Sequence, residues 1–441
     1  MILLYSEEIT PRIKYISRLL FSQILQTEIS FTTDSASFRD SQLPKINYSF
    51  EKFDDEIYIQ PHRLMHDNTL EIPTIEAVWY ENEKYFFESS DDSVLPFDPL
   101  AASFFLVTRF EEYGSKTVDN YNRYKAENSI LAKYGLLKKP VINIWANLLA
   151  NKIAEKYNGL HFAKQSFNFI STIDIDNAWA YKYKGFFRTS GALLKSVIKG
   201  NFTEFKSRIK VLTNNEPDPY DSYKYLTQEF KGNEDKVLFF FLLGDYGHFD
   251  KNVSYKNKHL IELIQNTKKR YDIGIHPSFA SSKNEGAEKV KTEKERLEKI
   301  CGGEITKSRQ HFLRLKFPNT YLQLIDAGIA EDYSMGYASQ LGFRAGICTP
   351  YYFYDLKNEV ETNLLIVPFQ VMDGTFLNYL KLSPEEAIQQ IEKIMIEVKK
   401  VGGTFVSIWH NETVTDTGLW KNYRQVFEKI NRLGFKWANE E

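Results

Sequence analysis

Cysteine is almost missing from this chain: Cys301 and Cys348 are the two among 441 residues. Two thiols cannot build a disulfide framework or a cysteine-based zinc site. They are expected to be unpaired in a reducing compartment, with a single bridge as the alternative. An excess charge of one sign is missing too. Lys plus Arg number 56 and Asp plus Glu 58, a formal net charge of -2. That argues against a dedicated nucleic-acid binder while leaving room for a local basic patch. Long apolar runs are lacking as well. The longest, Val237 to Leu243, is far short of a membrane span. The start, Met-Ile-Leu-Leu-Tyr-Ser-Glu-Glu, has neither the basic opening nor the long apolar core of a secretory signal. A soluble cytoplasmic protein with no membrane span is therefore expected. Repeats, low-complexity tracts and heptads are also wanting.

What is present is globular. Hydrophobic residues make up 43% and charged residues 26%, too apolar for a disordered chain. The length predicts roughly two to three domains. Aromatics at 15% suit a large core and are compatible with sugar stacking.

The first third reads as a small α/β unit. Residues 1–5 form a strand, 12–26 an amphipathic helix, and 46–87 several alternating β segments. Asp98-Pro99 then caps an apolar helix, 123–134 is loop, and 140–157 is a helix ending near Asn158-Gly159. Beyond it short apolar runs alternate with charged helical stretches. Strands are predicted at 167–173, 237–243, 272–275, 305–309, 345–348, 364–368 and 404–408. Helices are predicted at 221–230, 258–271, 288–300, 318–327, 383–400 and 418–433. Ser383-Pro-Glu-Glu386 is a capping box. About seven strand–helix alternations imply a parallel sheet, most simply a distorted (β/α) barrel, with an open doubly wound sheet as the alternative.

Ionisable residues gather at the C-terminal ends of these strands, the face that carries chemistry in β/α barrels. Asp174 and Asp176, two apart in extended backbone, point to one side. Two carboxylates ending a buried strand need a metal or an arginine to offset their repulsion; otherwise they simply cap a turn. His276 ends the next apolar strand but one and suits a metal beside Asp176. Arg309 and His311 recur at i, i+2: one would neutralise a carboxylate while the other reaches the same pocket. His410 ends the last strand, where a histidine facing a metal is the usual general acid. Each has a bland reading alone, as a core histidine or a salt-bridged strand. Their shared position carries the argument.

From about residue 160 to 441 the chain resembles the NodB-type polysaccharide deacetylases, metal-dependent enzymes on a distorted (β/α) barrel. Thr172-Ile-Asp-Ile-Asp176 resembles their first motif, and Leu238-Phe-Phe-Phe-Leu-Leu-Gly244 the strand that follows. His276-Pro-Ser278 resembles the start of their histidine motif, Ser308-Arg309 the arginine motif, and Ile408-Trp-His410 the final one. The whole chain resembles two-domain deacetylase-like proteins of the Bacteroidetes type. In them Asp332-Tyr-Ser-Met-Gly-Tyr-Ala and Gly342-Phe-Arg-Ala-Gly346 would be recognisable, without assigned chemistry. The division implied is a front α/β domain of unknown role at 1–158 and a barrel at 159–441.

The resemblance implies Asp174 as base, with Asp176 and His276 on a divalent cation. Zinc is the expected ion, since it suits mixed N/O ligation with an open position; cobalt, nickel and manganese are the alternatives. Two departures stand out. The usual adjacent Asp-Asp is Asp-x-Asp. The second metal histidine falls at position 280, which is Ala. His311 is the first substitute and His248 the second; water completing the site, or no metal at all, is the third reading. Arg309 would hold Asp174 ionised, and His410 would protonate the leaving amine. Asp373 could orient Arg309 or His410, but a simple Asp-Gly turn is the favoured reading. In the front domain, His62 and His66 are expected to be ordinary surface histidines. The expected activity is removal of acetyl from an N-acetylated sugar of a cell-surface polysaccharide or its precursor. The rivals are an inactive glycan- or partner-binding protein on the same fold, a hydrolase of another amide or O-acyl ester, and a scaffold.

Overall fold

A computed structural model describes residues 1–81, 83–115, 117–282 and 286–440. Four short parallel strands open the chain: β1 (Ile2–Tyr5), β2 (Ile29–Thr32), β3 (Lys45–Asn47) and β4 (Ile57–Tyr58), in the order β2-β1-β3-β4. The helix expected over 12–26 begins at Pro11, capped by the Thr10 side chain. It widens into a π-helical stretch, Arg18–Ile24, and so is not one regular helix. Strands β5 (Ala77–Tyr80) and β6 (Glu83–Phe86) pair antiparallel. The Asp98 carboxylate caps helix Pro99–Val107 by accepting from Leu100 and Ala101 N–H. Within the expected loop 123–134, Ile130–Lys133 forms one helical turn.

The second sheet has nine strands: β7 (Phe167–Ile175), β8 (Val237–Phe241), β9 (Asp272–Ile275), β10 (Lys307–Ser308), β11 (Glu331–Asp332), β12 (Tyr351–Asp355), β13 (Val360–Ile366), β14 (Val371–Met372) and β15 (Gly403–His410). Their order is β12-β13-β11-β10-β9-β8-β7-β15-β14. Every neighbouring pair is parallel except β12 with β13. The core strands β8 and β15 are buried along almost their whole length, and β8 is wholly apolar, as a sheet covered on both faces requires.

Of the expected distorted (β/α) barrel, the parallel strand–helix sheet is present, but among the described residues its ladder does not close. Its two ends are nevertheless joined by chain. β13 lies beside β11 and β14 beside β15, and Ile366 and Val371 are five residues apart, a reach of at most roughly 17 Å. The sheet must curl for that link to fit. Single bonds mark the path: Val367 N–H to Asp332 O, Phe369 N–H to Met335 O and Gln370 N–H to Val406 O. Pro368 has no N–H to give and interrupts the ladder.

Other expectations also move. The strand predicted at 345–348 is a buried turn, its Gly346 in the left-handed region at φ 69°. The last helix starts at Arg424 rather than 418. Two helices, Phe186–Ile198 and Phe202–Leu212, had no sequence prediction. The capping box forms as expected, and Cys301 and Cys348 are free thiols.

A buried ionic knot ties the first 158 residues to the rest. Glu112 takes two bonds from Arg344, at 3.0 and 2.5 Å, and one from Arg109 at 2.8 Å. Arg12 reaches Glu359 in the same way, at 2.9 and 2.5 Å. A single hydrophobic cluster runs through both sheets.

Candidate metal and acid–base centre

Strand register assembles the site. β15 pairs with β7 so that His410 stands opposite Asp174. Ser308 of β10 stands opposite Ile275 of β9, which brings the next residues, Arg309 and His276, alongside. The strand ends surround a cavity of about 180 Å³ whose lining includes Asp174, Asp176, His276, His311, Asp373 and His410.

Arg309 is wholly buried. Its Nη1 donates to Asp174 Oδ1 at 2.8 Å and to Thr172 Oγ1 at 2.5 Å, and its Nε donates to Tyr333 O at 3.0 Å. The guanidinium carbon lies 4.6 Å from the Phe240 ring centroid. This buried cation fixes one oxygen of Asp174 and leaves the other facing His276 Nε2, 3.8 Å away.

Asp176 lies between three imidazoles. Its Oδ1 is 3.1 Å from His276 Nε2, and its Oδ2 is 3.3 Å from His311 Nε2 and 3.8 Å from His410 Nε2. The other ring nitrogens are committed elsewhere. His276 Nδ1 sits 2.5 Å from the Arg309 carbonyl, which can only accept. His311 Nδ1 sits 2.9 Å from Asp250 Oδ1. Each Nδ1 therefore carries the proton, and in the neutral tautomer each Nε2 is a bare lone pair aimed at a carboxylate. Asp176 Oδ1 accordingly has no hydrogen-bond donor despite its burial. Facing lone pairs repel unless a proton or a cation lies between them. One ligand atom each from Asp176, His276 and His311 lies within 4.8 Å of the others. One carboxylate and two imidazoles, each imidazole held through its far nitrogen, are a donor set that fits a divalent cation.

The bare protein meets the problem with protons. Burial opposes charge on Asp176, but His311, His276 and His410 outweigh it and hold the carboxyl well below its ordinary range. Burial likewise opposes the His311 imidazolium, yet Asp176 and Asp250 push its pKa up to about 9. His410 is raised well above its ordinary value: against burial stand Asp373, Asp176 and Asp174.

Sequence reasoning placed Asp174, Asp176, His276, Arg309, His311 and His410 at strand ends, and the fold brings all six together. His248 is a correction: it is exposed, its ring against Phe249, and is not part of the ligand cluster. Asp373 is another, since it is more than a turn residue. It accepts from His410 N–H at 2.6 Å and lies 2.8 Å from His410 Nδ1, so it orients His410 and not Arg309. His62 caps a short 3-10 turn through Nδ1, and His66 lies against Phe50.

Two residues escaped sequence reasoning altogether. Asp250 holds His311 and also accepts from Phe279 N–H at 2.7 Å and Ala280 N–H at 3.2 Å. Position 280 thus offers its backbone to the carboxylate that supports His311. Arg123, from the front third, lines the cavity. It donates to Tyr379 Oη at 2.9 Å and Phe312 O at 3.2 Å. Nothing in the local sequence marks either residue.

Residues 2–158 match the model of a family of unknown function, DUF7033. No curated protein matches the chain. Among solved structures, the chain is similar to an assigned polysaccharide deacetylase from Mycobacterium smegmatis: 14% identity, 61% of this chain and 85% of that one, TM-score 0.39. It is also similar to Puue allantoinase: 8% identity, 62% of this chain and 85% of that one, TM-score 0.39. Likeness at that level leaves the activity to be argued from the site's own residues.

Proposed function

We propose that this pocket is the active centre of a metal-dependent hydrolase of C–N amide bonds, removing acetyl from an N-acetylated sugar of a cell-surface polysaccharide or its precursor. The observation that carries this reading is the pair of Nδ1-anchored imidazoles turned on Asp176 beside an arginine-held Asp174. Asp176, His276 and His311 would hold the cation. Bound there, a divalent metal would supply Lewis acidity and lower the pKa of water toward neutrality.

The chain's own groups do the rest. Asp174 takes the proton of the attacking water at Oδ2, because Arg309 occupies Oδ1 and fixes the carboxylate's orientation. His410, held as imidazolium by Asp373, gives its Nε2 proton to the leaving nitrogen. One water adds across the C–N bond, and the products are acetate and a free amine. Phe312, Tyr379 and Trp420 on the cavity wall suit the apolar faces of a sugar, and Arg123 beside them suits its hydroxyls or an anionic substituent. In this reading the chain divides into a front unit, 1–158, that lends Arg123 to the rim, and a catalytic unit, 159–441. A cytoplasmic enzyme of this kind would meet its sugar as a nucleotide- or lipid-linked precursor.

The test is elemental analysis of purified, tag-free protein beside Asp176→Ala, followed by acetate release from N- and O-acetylated sugars. Near-stoichiometric metal in the parent and little in the variant is the expected result. No metal in either, even after incubation with zinc, cobalt, nickel or manganese, would replace the hydrolase with a non-catalytic glycan binder. Release from O-acetyl sugars alone would make it an esterase.

A further inference from the structure

Immediately after Asp176 the chain leaves the sheet and builds two helices, Phe186–Ile198 and Phe202–Leu212, before returning at Asp218. The excursion is stitched shut at its base. Asp218 accepts from the backbone N–H of Ala180, Tyr181 and Lys182. Asn411 Nδ2 then donates to the Asn177 and Tyr220 carbonyls. Asn411 adjoins Glu412, which lines the cavity. The helical hairpin therefore stands at the rim of the candidate active centre.

Its first helix is amphipathic the wrong way round. Phe186, Phe187, Leu194 and Ile198 are 78%, 89%, 61% and 76% exposed, and Val197 is exposed with them. At about 100° per residue these five fall within an arc of roughly 120°. The side turned to the protein carries small and polar groups instead, with Ser196 the buried residue of the helix. Phe202, at the start of the second helix, extends the apolar surface at 59% exposure. A helix of a globular domain normally buries such a stripe.

The charge around this stripe is equally uneven. Residues 182–210 hold eight Lys and Arg and one Glu, a net charge of +7, in a chain whose total is -2. Lys184, Arg188, Lys195, Lys199, Arg208 and Lys251 line a cleft of about 640 Å³ between the hairpin and the body. Arg188 is pinned to the Lys251 and Asn252 carbonyls, so the cleft is anchored on both sides. Bulky apolar side chains facing outward, flanked by a concentrated positive field, are the makings of a helix that lies in a membrane interface. Among the described residues no helix is long and apolar enough to cross a membrane, which leaves surface docking rather than spanning.

We propose that this hairpin docks on an anionic lipid bilayer, with Phe186, Phe187, Leu194, Val197 and Ile198 seated among the acyl chains and the exposed Lys195 and Lys199 on the headgroups. Charge complementarity selects this occupant: a second copy of the chain would bring +7 against +7. Docking sets the rim of the cavity beside the lipid surface. The inference stands on exposure and charge and does not depend on the hydrolase reading.

The experiment is flotation of the full-length protein with vesicles of phosphatidylcholine alone or mixed with phosphatidylglycerol. The parent partitions onto the mixed vesicles at low salt, and raising the ionic strength releases it. The double variant Phe187→Ser/Ile198→Ser lowers the partition roughly tenfold or more, since it removes two apolar anchors. Lys195→Glu/Lys199→Glu lowers it comparably on mixed vesicles, as each basic residue near an anionic surface strengthens binding roughly fivefold. All four positions are exposed, so both variants keep the parental melting temperature and metal content. Failure of the parent to float with mixed vesicles at low salt would overturn the proposal. So would partition untouched by either variant, or a parental dimer in sedimentation that Phe187→Ser/Ile198→Ser converts to monomer. Metal content is read separately, so loss of lipid binding and loss of the metal centre are told apart.

Discussion

Replacing Asp250 by Asn is the sharpest probe of the centre, because the residue touches no substrate and yet organises half of it. Asp250 Oδ1 meets His311 Nδ1 at 2.9 Å and Phe279 N–H at 2.7 Å, while Oδ2 takes Ala280 N–H at 3.2 Å. Asn keeps one acceptor oxygen and turns an amide toward the Ala280 N–H. Donor then faces donor, which costs about 1 kcal/mol of stability. The larger loss is electrostatic. Without the carboxylate, His311 becomes a weaker base and its ring is held less firmly. Supporting carboxylates of this kind are worth 10–100-fold in metal affinity, about 1.4–2.7 kcal/mol. Zinc titration against a competing chelator, with thermal melting of the metal-free protein beside it, separates the two effects. The expected outcome is a folded protein that binds zinc one to two decades more weakly. Unchanged affinity would refute the assignment of His311 as a ligand supported by Asp250. His248→Ala, at an exposed position, leaves affinity unchanged.

Asp174→Asn is expected to keep its metal and lose hydrolysis by roughly 10²–10⁴-fold, read as acetate release beside elemental analysis. Glu293 sets a pH dependence of stability. Burial raises its pKa from 4.5 to about 7, against the Ser278 hydrogen bonds that favour its charge. The folded state thus holds a proton that the unfolded state releases, so this contribution is full below about pH 4.5 and fades as pH rises through about 7. The loss is at most roughly 3 kcal/mol, and Glu293→Gln flattens that part of the profile in urea melts. Glu112 has the opposite sign. Burial opposes its charge, but Arg344 and Arg109 lower its pKa, so its contribution is lost as pH falls through the carboxylate range. Glu112→Gln leaves two buried guanidinium groups short of a counter-charge and lowers stability by roughly 3–5 kcal/mol in denaturant melts.

Local chemistry made much of this molecule legible. Strands β7, β8, β9 and β15 announce themselves as short apolar runs, and the helix after Ser383 by its capping box, because both signals live within a few consecutive residues. The strand-end positions of Asp174, Asp176, His276, Arg309, His311 and His410 follow from the same runs. The edge strand β12 stayed hidden: Tyr351–Asp355 has polar and apolar residues without a clean alternation. The turn at 345–348 looked like a strand because it is buried, and burial selects apolar residues whatever the backbone does.

The sequence by itself determined the alternation of strands and helices, the poverty of thiols and the set of ionisable groups at the strand ends. Tertiary structure alone decided which of those groups meet. Asp250 and His311 are 61 residues apart and join across an intervening strand. Arg123 and Tyr379 are 256 apart and meet at the cavity wall. Nor could periodicity tell that the stripe on Phe186–Ile198 faces solvent. The period of a helix shows that it has two faces, and only the chain packed around it decides which is covered. The missing histidine at position 280 makes the same point. Sequence shows the gap, while the return of β10 beside β9 is what carries His311 to the opposite side of Asp176.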